Sequence, residues 1–570
     1  MKWSQRQGAA PAPGYIEKIK NEFSAPDYII SVLLNRGIAE YGKFTELIDV
    51  DNAPLSSPWF FEDMEKAVSV ILAAAERGEK IVIYGDYDAD GVTSIVILLR
   101  FFRDFMNYSN VGYYIPSRQD EGYGMNKEAL SGIISGGAKL IITVDCGITA
   151  KEEVEFCAEK GVKVIVTDHH NPDSRKIPGM AAAIINTKTS EAYPNKDLSG
   201  SGTAYKLMLA VAEKKGIVVN SALIDFAAIG TITDIVPMSA ENRIIIRRGL
   251  KSLKNPANTG IIALKEAAGM EPGKEVNTYH VGYILGPRIN AAGRLEHADR
   301  AVCLFASDDE NEAAEIAGWL SGINDERKRL TQSAEEKAVD MIEKSFYPDK
   351  DFLLVFYDKG LNSGIAGLVA SKLSGRFNRP SFVLTMGEDG LVHGSGRSVS
   401  NIDIYEALQK AEATMEKFGG HRLAAGITIK EEKIREFTET VNSYLKSRYT
   451  ADDFEPVLYY DAELTESIMV KDIKILDKFE PWGEGNPKPV FLIKKAEIRD
   501  VRFFKGNTMK FYARHRAGGR DAFYNFILFR YTDEDKDTIK QGNKIDVIFT
   551  PKINLWNNTE SIVLEVKDYR

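Results

Sequence analysis

Five short apolar runs punctuate the first 190 residues, at 81–84, 111–115, 140–144, 162–166 and 183–185. They are rich in Val, Ile and Tyr, and the stretches between them carry helical spacing. Short β-rich runs alternating with helical stretches predict the parallel strands of an α/β sheet. In such a sheet the C-terminal strand ends share one edge, where ligands bind. Three of the run ends are acidic or histidine-bearing. The first run stops at Asp86-Tyr87-Asp88-Ala89-Asp90-Gly91, the third at Asp145-Cys146-Gly147, and the fourth at Asp168-His169-His170. Carboxylates and imidazoles far apart in the chain therefore converge, which predicts a divalent-metal site.

The same pattern divides the rest of the chain. Residues 1–60 hold short helical patterns with Pro/Ser punctuation and are expected to form an N-terminal extension packed on the first domain. Residues 61–240 form the α/β unit, and 241–348 a helical connector. Ser307-Asp308-Asp309-Glu310 fits a capping box that opens a long charged helix. Ile316, Leu320 and Ile323 bury one face of that helix. A second α/β pattern spans 349–450. From 454 to 570 strands and turns predict a small β-barrel.

Composition narrows the class. At 570 residues the chain is long enough for several domains. No run approaches the ~18 apolar residues of a membrane span, and the first residues lack the apolar core of a signal peptide. Three cysteines, Cys146, Cys157 and Cys303, make no disulfide framework. The expectation is a soluble cytoplasmic protein without a membrane partner. A formal charge of −9, from 73 basic and 82 acidic residues, argues against polyanion binding by the whole surface but leaves room for a local basic groove.

Asp-x-Asp-x-Asp-Gly also opens a calcium loop, which needs Glu at its twelfth position. Counting from Asp86, Ile97 stands there. The motif also follows a strand rather than a helix, so the calcium-loop reading falls. The alternative is a turn projecting Asp88 and Asp90 at the sheet edge, with Gly91 easing the start of a helix. Two adjacent histidines after an Asp at a strand end are the most specific signal of the three. A carboxylate-rich site with imidazoles favours Mn²⁺, with Mg²⁺ as substitute. Asp234 follows an apolar helix in Gly230-Thr231-Ile232-Thr233-Asp234.

Together these motifs resemble the DHH phosphoesterase superfamily, and within it the RecJ family of single-strand-specific 5′→3′ exonucleases. The resemblance extends from about residue 80 to the C-terminus. It implies a DHH catalytic domain, a DHH-associated second α/β domain, and a C-terminal OB-fold barrel. It makes Asp88, Asp90, Asp145, His169, His170 and Asp234 the metal shell, for two ions, with Asp86 and Asp168 as outer orienters. Asp145 and His169 are then catalytic. Two ions clamping both oxygens of an in-line displacement would release mononucleotides. Tyr84 stands where many superfamily members have His.

The resemblance also carries substrate residues. Gly394-Ser395-Gly396-Arg397-Ser398, read from the residues alone as a surface turn, offers Ser395 and Arg397 to the DNA 5′ end. Lys417-Phe418-Gly419-Gly420-His421 places His421 toward the cleft and the scissile phosphate. Gly286-Pro287-Arg288-Ile289-Asn290-Ala291-Ala292-Gly293-Arg294 gives Arg288 and Arg294 for the DNA path. From its place at the end of the second run, on the metal edge, Arg118 reads as a phosphate clamp, with a structural ion pair as the alternative for each of these three arginines. Leu361-Asn362 stands where many relatives have Trp-His, and Trp482 where Phe is usual.

Residues 492–530 hold ten Lys/Arg against three Asp/Glu, interleaved with eight aromatics from Phe503 to Phe529. A basic groove with aromatic platforms binds single strands without regard to sequence. Alternating aromatics also build barrel cores, so half of these are expected inside. The implied partner is single-stranded DNA, with a single-strand-binding protein and a helicase, in recombination and repair. The alternative keeps the chemistry on cyclic dinucleotides or short oligonucleotides. Such proteins generally lack a barrel tail. A non-catalytic relative would need lost ligands, and none of the six is lost.

Overall fold

The computed structural model describes every residue except 119, 120, 220, 221, 239, 400 and 558. The chain divides into two compact units. One comprises residues 55–236 and 240–456, the other residues 1–54, 237–239 and 457–570.

The larger unit opens with a five-stranded parallel sheet of β2 (Lys80–Tyr84), β3 (Val111–Tyr114), β4 (Ala138–Val144), β5 (Lys163–Thr167) and β6 (Ala183–Ile185), in the order β3-β2-β4-β5-β6. All five predicted runs are strands. The inner strands β2, β4 and β5 are almost wholly buried, as parallel strands covered on both faces must be. The chain leaves β2 in one direction to β3, then crosses to β4 on the other side. That reversal makes a crevice between the C-terminal ends of β2 and β4, where open α/β sheets bind ligands.

The region from 240 to 343 is helical. It ends in the 34-residue helix Glu310–Glu343. The cap of that helix differs from the expectation. Asp309, not Ser307, accepts the Glu312 amide, at 2.9 Å, while Ser307 Oγ meets the Glu312 carboxylate. A second sheet follows. It contains β7 (Leu354–Tyr357), β8 (Ser381–Met386), β9 (Val392–Arg397), β10 (Lys417–His421) and β11 (Ala424–Ile429), in the order β10-β11-β9-β8-β7.

The smaller unit corrects the reading of the N-terminus. Residues 1–54 do not belong with the first α/β domain. They share a core with the C-terminal barrel, in which Tyr28, Ile29, Val32, Leu33 and Phe44 pack with Phe479, Phe491 and Ile493. Strand β1 (Lys2–Gln5) pairs in parallel with β12 (Val457–Tyr460). After the short β13 (Ala462–Glu463) come β14 (Phe491–Phe504), β15 (Thr508–Ala517), β16 (Arg520–Phe529), β17 (Lys544–Trp556) and β18 (Thr559–Tyr569). The neighbour order β14-β15-β16-β18-β17 returns to β14, which closes a five-stranded barrel. Bulges in β14 bend it enough to serve partners on both sides.

Arg36 ties the N-terminal helices to this unit. Its guanidinium donates to Val32 O at 2.8 Å, Asn486 Oδ1 at 2.9 Å and Pro487 O at 2.6 Å, and lies 3.4 Å from the buried Asp461 carboxylate. Removing one partner of a buried pair costs about 3–5 kcal/mol, and Asp461 would keep the Val490 amide and the more distant Arg6, 3.9 Å away. We expect Arg36→Ala to lower the unfolding free energy of this unit by about that amount. Urea unfolding followed by the fluorescence of Trp482, which sits beneath the guanidinium, measures it.

Candidate metal centre and phosphate cradle

The turn after β2 is built to aim carboxylates at the crevice. Asp88 caps the helix Ala89–Arg100, its Oδ1 accepting the Asp90 and Gly91 amides at 2.9 and 3.0 Å. Gly91 is required there, because a Cβ would lie 2.4 Å from Asp86 O. Asp145 follows β4 with φ +60°, a left-handed conformation that Asp tolerates better than most residues. Gly200 backs directly onto it, since a Cβ at 200 would meet the Asp145 carboxylate at 2.6 Å. Asp234 follows the helix Ala222–Thr233.

These residues converge. His169 Nε2 lies 3.1 Å from Asp145 Oδ1 and 3.5 Å from Asp234 Oδ2. Three overlapping groups bring ligand atoms within 4.8 Å of one another: Asp145 with His169 and His170, Asp90 with His169 and Asp234, and Asp86 with Asp88 and Asp145. Among the described residues, Asp86 Oδ1, Asp145 Oδ1 and His169 Nε2 are buried without a hydrogen-bond partner, the last two lying 3.1 Å apart. Bare buried acceptors clustered in this way fit a cation. Carboxylates with one or two imidazoles suit Mn²⁺ or Mg²⁺.

The electrostatics agree. Burial, then the Asp90, Asp88 and Asp234 carboxylates, push Asp145 well above the usual carboxylate range. Asp86 is raised by burial and Asp88, and Asp234 by burial and Asp90. Asp90 is pushed up to about 6 by burial and Asp88, against the stabilising amides of residues 200 and 201. Burial and the neighbouring His170 push His169 down to about 3, which leaves it neutral, the form that ligates.

One residue is placed otherwise than expected. Asp86, expected as an outer orienter, stands among the atoms able to hold an ion. Asp90 receives the Gly200 and Ser201 amides at 2.6 and 2.9 Å, one on each carboxylate oxygen, at the start of the helix Gly200–Lys215. Asp168 takes four donors: the His169, His170 and Ile148 amides and His170 Nδ1, the last at 2.8 Å. Burial alone would raise its pKa, but His170 prevails and brings it down to about 2. Tyr84 points into the core. Its hydroxyl donates to Gly124 O at 3.0 Å and its ring packs on Tyr114, so it is not a ligand.

Beside the carboxylates is a group of cations. Arg118 lies over the Tyr87 ring at 5.0 Å. Arg294 donates to Gly364 O at 3.1 Å, and its pKa is pushed down to about 10 by burial and by Arg118, Arg327 and Arg397, with Asp88 opposing. Burial and Arg118 lower Arg397 as well. Guanidinia that depress one another form a cradle for an anion.

The Gly394–Arg397 stretch is a strand rather than the surface turn expected. Cβ atoms at Gly394 and Gly396 would strike the core residues Leu384 and Phe382 at 2.3 and 2.4 Å. Strand alternation then turns Ser395 and Arg397 to the opposite face, against Gly367 of the helix Ser363–Phe377. Arg288 is not brought into this group. It binds Ser321 Oγ at 3.1 Å and Ile284 O at 2.7 Å. His421 ends the edge strand β10, exposed, with only a local contact from the Leu423 amide among the described residues.

Several residues escaped the sequence reading. Asn290 Oδ1 accepts the Ala89 amide at 2.8 Å, and Gly293 packs on Tyr87 O, so the connector helix braces the first motif. Lys188 donates to His169 O at 2.7 Å. Tyr123 Oη lies 3.1 Å from His170 Nδ1. Arg327 acts electrostatically on Arg294, and one turn earlier Asn324 is buried with both amide atoms unpartnered among the described residues. Asn324 continues the buried stripe of Ile316 and Leu320, and a polar residue in that stripe was a readable signal.

Comparison with known proteins decides the family. The DHH family N-terminal domain matches residues 80–231, the DHHA1 domain 350–447, and the RecJ OB domain 460–568. The single-stranded-DNA-specific exonuclease RecJ of Bacillus subtilis (strain 168) is 34% identical over 572 residues, covering 100% of this chain and 70% of that one. The chain belongs to the RecJ family. The RecJ exonuclease of Escherichia coli (strain K12) is 34% identical over 456 residues, covering 76% and 78%. Two solved RecJ structures are similar. RecJ in complex with Mn²⁺ from Thermus thermophilus gives a TM-score of 0.83 at 26% identity, covering 100% of this chain and 79% of that one. An exonuclease RecJ bound to manganese gives 0.61 at 32% identity, covering 70% and 98%.

Burial and neighbouring carboxylates raise the proton affinity of this RecJ-family centre, so an entering cation competes with protons and its affinity should rise with pH. Calorimetric titration of Mn²⁺ near neutral pH, in buffers of different ionisation enthalpy, is expected to register proton release. In Asp145→Ala the high-affinity heat should vanish while the circular dichroism is kept.

Proposed function

We propose that the chain hydrolyses single-stranded DNA from the 5′ end, releasing 5′-mononucleotides, in DNA recombination and repair. One observation carries this reading: the arginine cradle adjoins the first carboxylate motif, with Arg118 over the ring of Tyr87, which lies between Asp86 and Asp88, and Gly293, next to Arg294, packed on Tyr87 O. A terminal phosphate carries more charge than an internal one, so a cradle of several guanidinia selects it. With that phosphate held, the next phosphodiester reaches the carboxylate side, and each cut frees one nucleotide.

When bound, divalent cations supply Lewis-acid activation of water and charge neutralisation at the phosphoryl oxygens. The three overlapping ligand groups would hold the ions, with His169 common to two of them and Asp145 common to another two. Asp86, Asp88, Asp90, His170 and Asp234 complete the donors. Asp168 holds His170 in one orientation. Arg118, Arg294, Arg327, Ser395 and Arg397 hold the terminal phosphate. His421, from the second sheet, is assigned to the scissile phosphate. No protein nucleophile is needed.

The barrel supports a polymeric substrate over a cyclic dinucleotide. Of the eight aromatics, Phe511, Tyr524 and Phe526 are core, whereas Phe503, Phe504, Tyr512, Phe523 and Phe529 are exposed. Tyr512 and Phe523 stack at 5.6 Å, and Lys510 lies over Phe504 at 5.1 Å. Their register places them on one aromatic outer face of β14, β15 and β16 together with Arg502, paired with Asp500, and Arg514, paired with Glu497 and Asp521.

End-labelled single- and double-stranded DNA with Mn²⁺, Mg²⁺ or chelator tests the reading. Mononucleotides should come first from the 5′ label of single strands, and not with chelator. Release from the 3′ end only, equal attack on blunt duplex, or faster cleavage of a cyclic dinucleotide would overturn it. Arg397→Ala should raise KM for a 5′-phosphorylated strand roughly tenfold or more, the loss of about 1.5–3 kcal/mol in one charged hydrogen bond. Steady-state rates on 5′-phosphate and 5′-hydroxyl strands should then converge.

A further inference from the structure

Two tyrosines on the helical connector are left without a structural role. Tyr279 and Tyr283 are 59% and 74% exposed, and their rings stack on each other at 5.2 Å and 23°. They occupy the start of one continuous helical rod, residues 278–295, whose middle section His280–Leu285 is a π-helix. In a π turn the hydrogen bonds run from i to i+5, so residues four apart come nearly into line. Such turns occur frequently at functional sites. Here the turn stacks the two rings and presents them outward.

The rod is also part of the catalytic unit. Gly282 and Gly286 face Ile232 and Thr233, the last turn before Asp234. A Cβ at these glycines would lie 3.6 Å and 2.4 Å from those side chains. At its far end Asn290 holds the Ala89 amide and Arg294 enters the arginine cradle. From Tyr283 to Arg294 the rise is on the order of 16 Å. One rigid element therefore joins an exposed aromatic stack to the metal-bearing helix end and to the cradle.

We infer that Tyr279 and Tyr283 form a base-stacking platform for unpaired nucleotides of the strand being degraded, a few residues downstream of its terminal phosphate. The inference rests on the exonuclease reading and extends it by giving the strand a path along this rod. Every base has a π-face, so such a platform holds any sequence but needs unpaired bases. An incoming duplex presents stacked, paired bases and gains nothing from it. The platform thus favours single strands near the cutting site itself.

The test uses the full-length chain. Binding is measured by fluorescence anisotropy in chelator, so that no hydrolysis occurs, on intact strands and on strands whose bases are removed stepwise from the 5′ end. Tyr279→Ala/Tyr283→Ala should weaken binding of the intact strand roughly tenfold or more. On strands lacking the bases at the contacted positions the variant and the native chain should bind alike. Tyr279→Phe/Tyr283→Phe should keep native affinity, since stacking needs the ring and not the hydroxyl. Thermal melting of both variants should match the native chain. No loss in the alanine variant, or an equal loss on base-free strands, would overturn the platform. The latter would assign the pair to another contact, such as a protein partner. Failure of the native chain to release nucleotides with Mn²⁺ would instead overturn the exonuclease reading, because the anisotropy arm does not depend on turnover.

Discussion

Mutual repulsion among buried carboxylates is the constraint around which the larger unit is organised. Asp86, Asp88, Asp90, Asp145 and Asp234 come from three separate segments and meet at the ends of β2 and β4. Asp86, Asp90 and Asp145 are buried from the water that would screen them, and the Asp90, Asp88 and Asp234 carboxylates raise the proton affinity of Asp145. Protonation or a multivalent cation relieves such a cluster. The bare oxygens of Asp86 and Asp145 and the bare nitrogen of His169 favour the cation, because hydrogen-bonded acid pairs would have satisfied them.

The surrounding backbone is shaped to keep that repulsion in place. Gly200 lets the Gly200–Lys215 helix approach Asp145, and its first amides fix Asp90. Helix N-termini favour negative charge, so Asp90 is held ionisable despite its burial. Gly230 lets a second helix press on Asp90, where any side chain would collide with its carboxylate. A few kcal/mol of electrostatic strain is thereby stored by packing that extends well beyond the ligands.

How much of this was legible follows from what each signal encodes. The five parallel strands were readable because strands buried on both faces are written as unbroken apolar runs, and their polar ends then marked the ligand edge. The partner of residues 1–54 was not. Amphipathic helices such as Asp27–Leu34 state that one face is buried but not against what, and here the covering barrel lies more than 400 residues along the chain. Gly394 and Gly396 were misread as a turn, since glycine marks both turns and strands crowded by a core, and only Leu384 and Phe382 distinguish the two. The bracing of Asp90 was likewise hidden. It depends on which carboxylate meets the 200–201 amides, contacts across more than 100 residues.

The cations complete the logic. An arginine cluster by itself would be as unfavourable as the carboxylate cluster, and burial and mutual repulsion drive Arg294 down to about 10. The two groups act on each other through Asp88 and Arg294, yet among the described residues they do not cancel by pairing. The carboxylates keep bare oxygens, and Arg294 donates to a backbone carbonyl. Opposite charges held adjacent but unpaired suit a ligand that brings both complements: cations for the one, a phosphate for the other. A nucleic-acid end with its divalent ions carries both, in a fixed order along one chain. A small neutral substrate carries neither, which is why the arrangement points to phosphodiester chemistry before any relative is consulted.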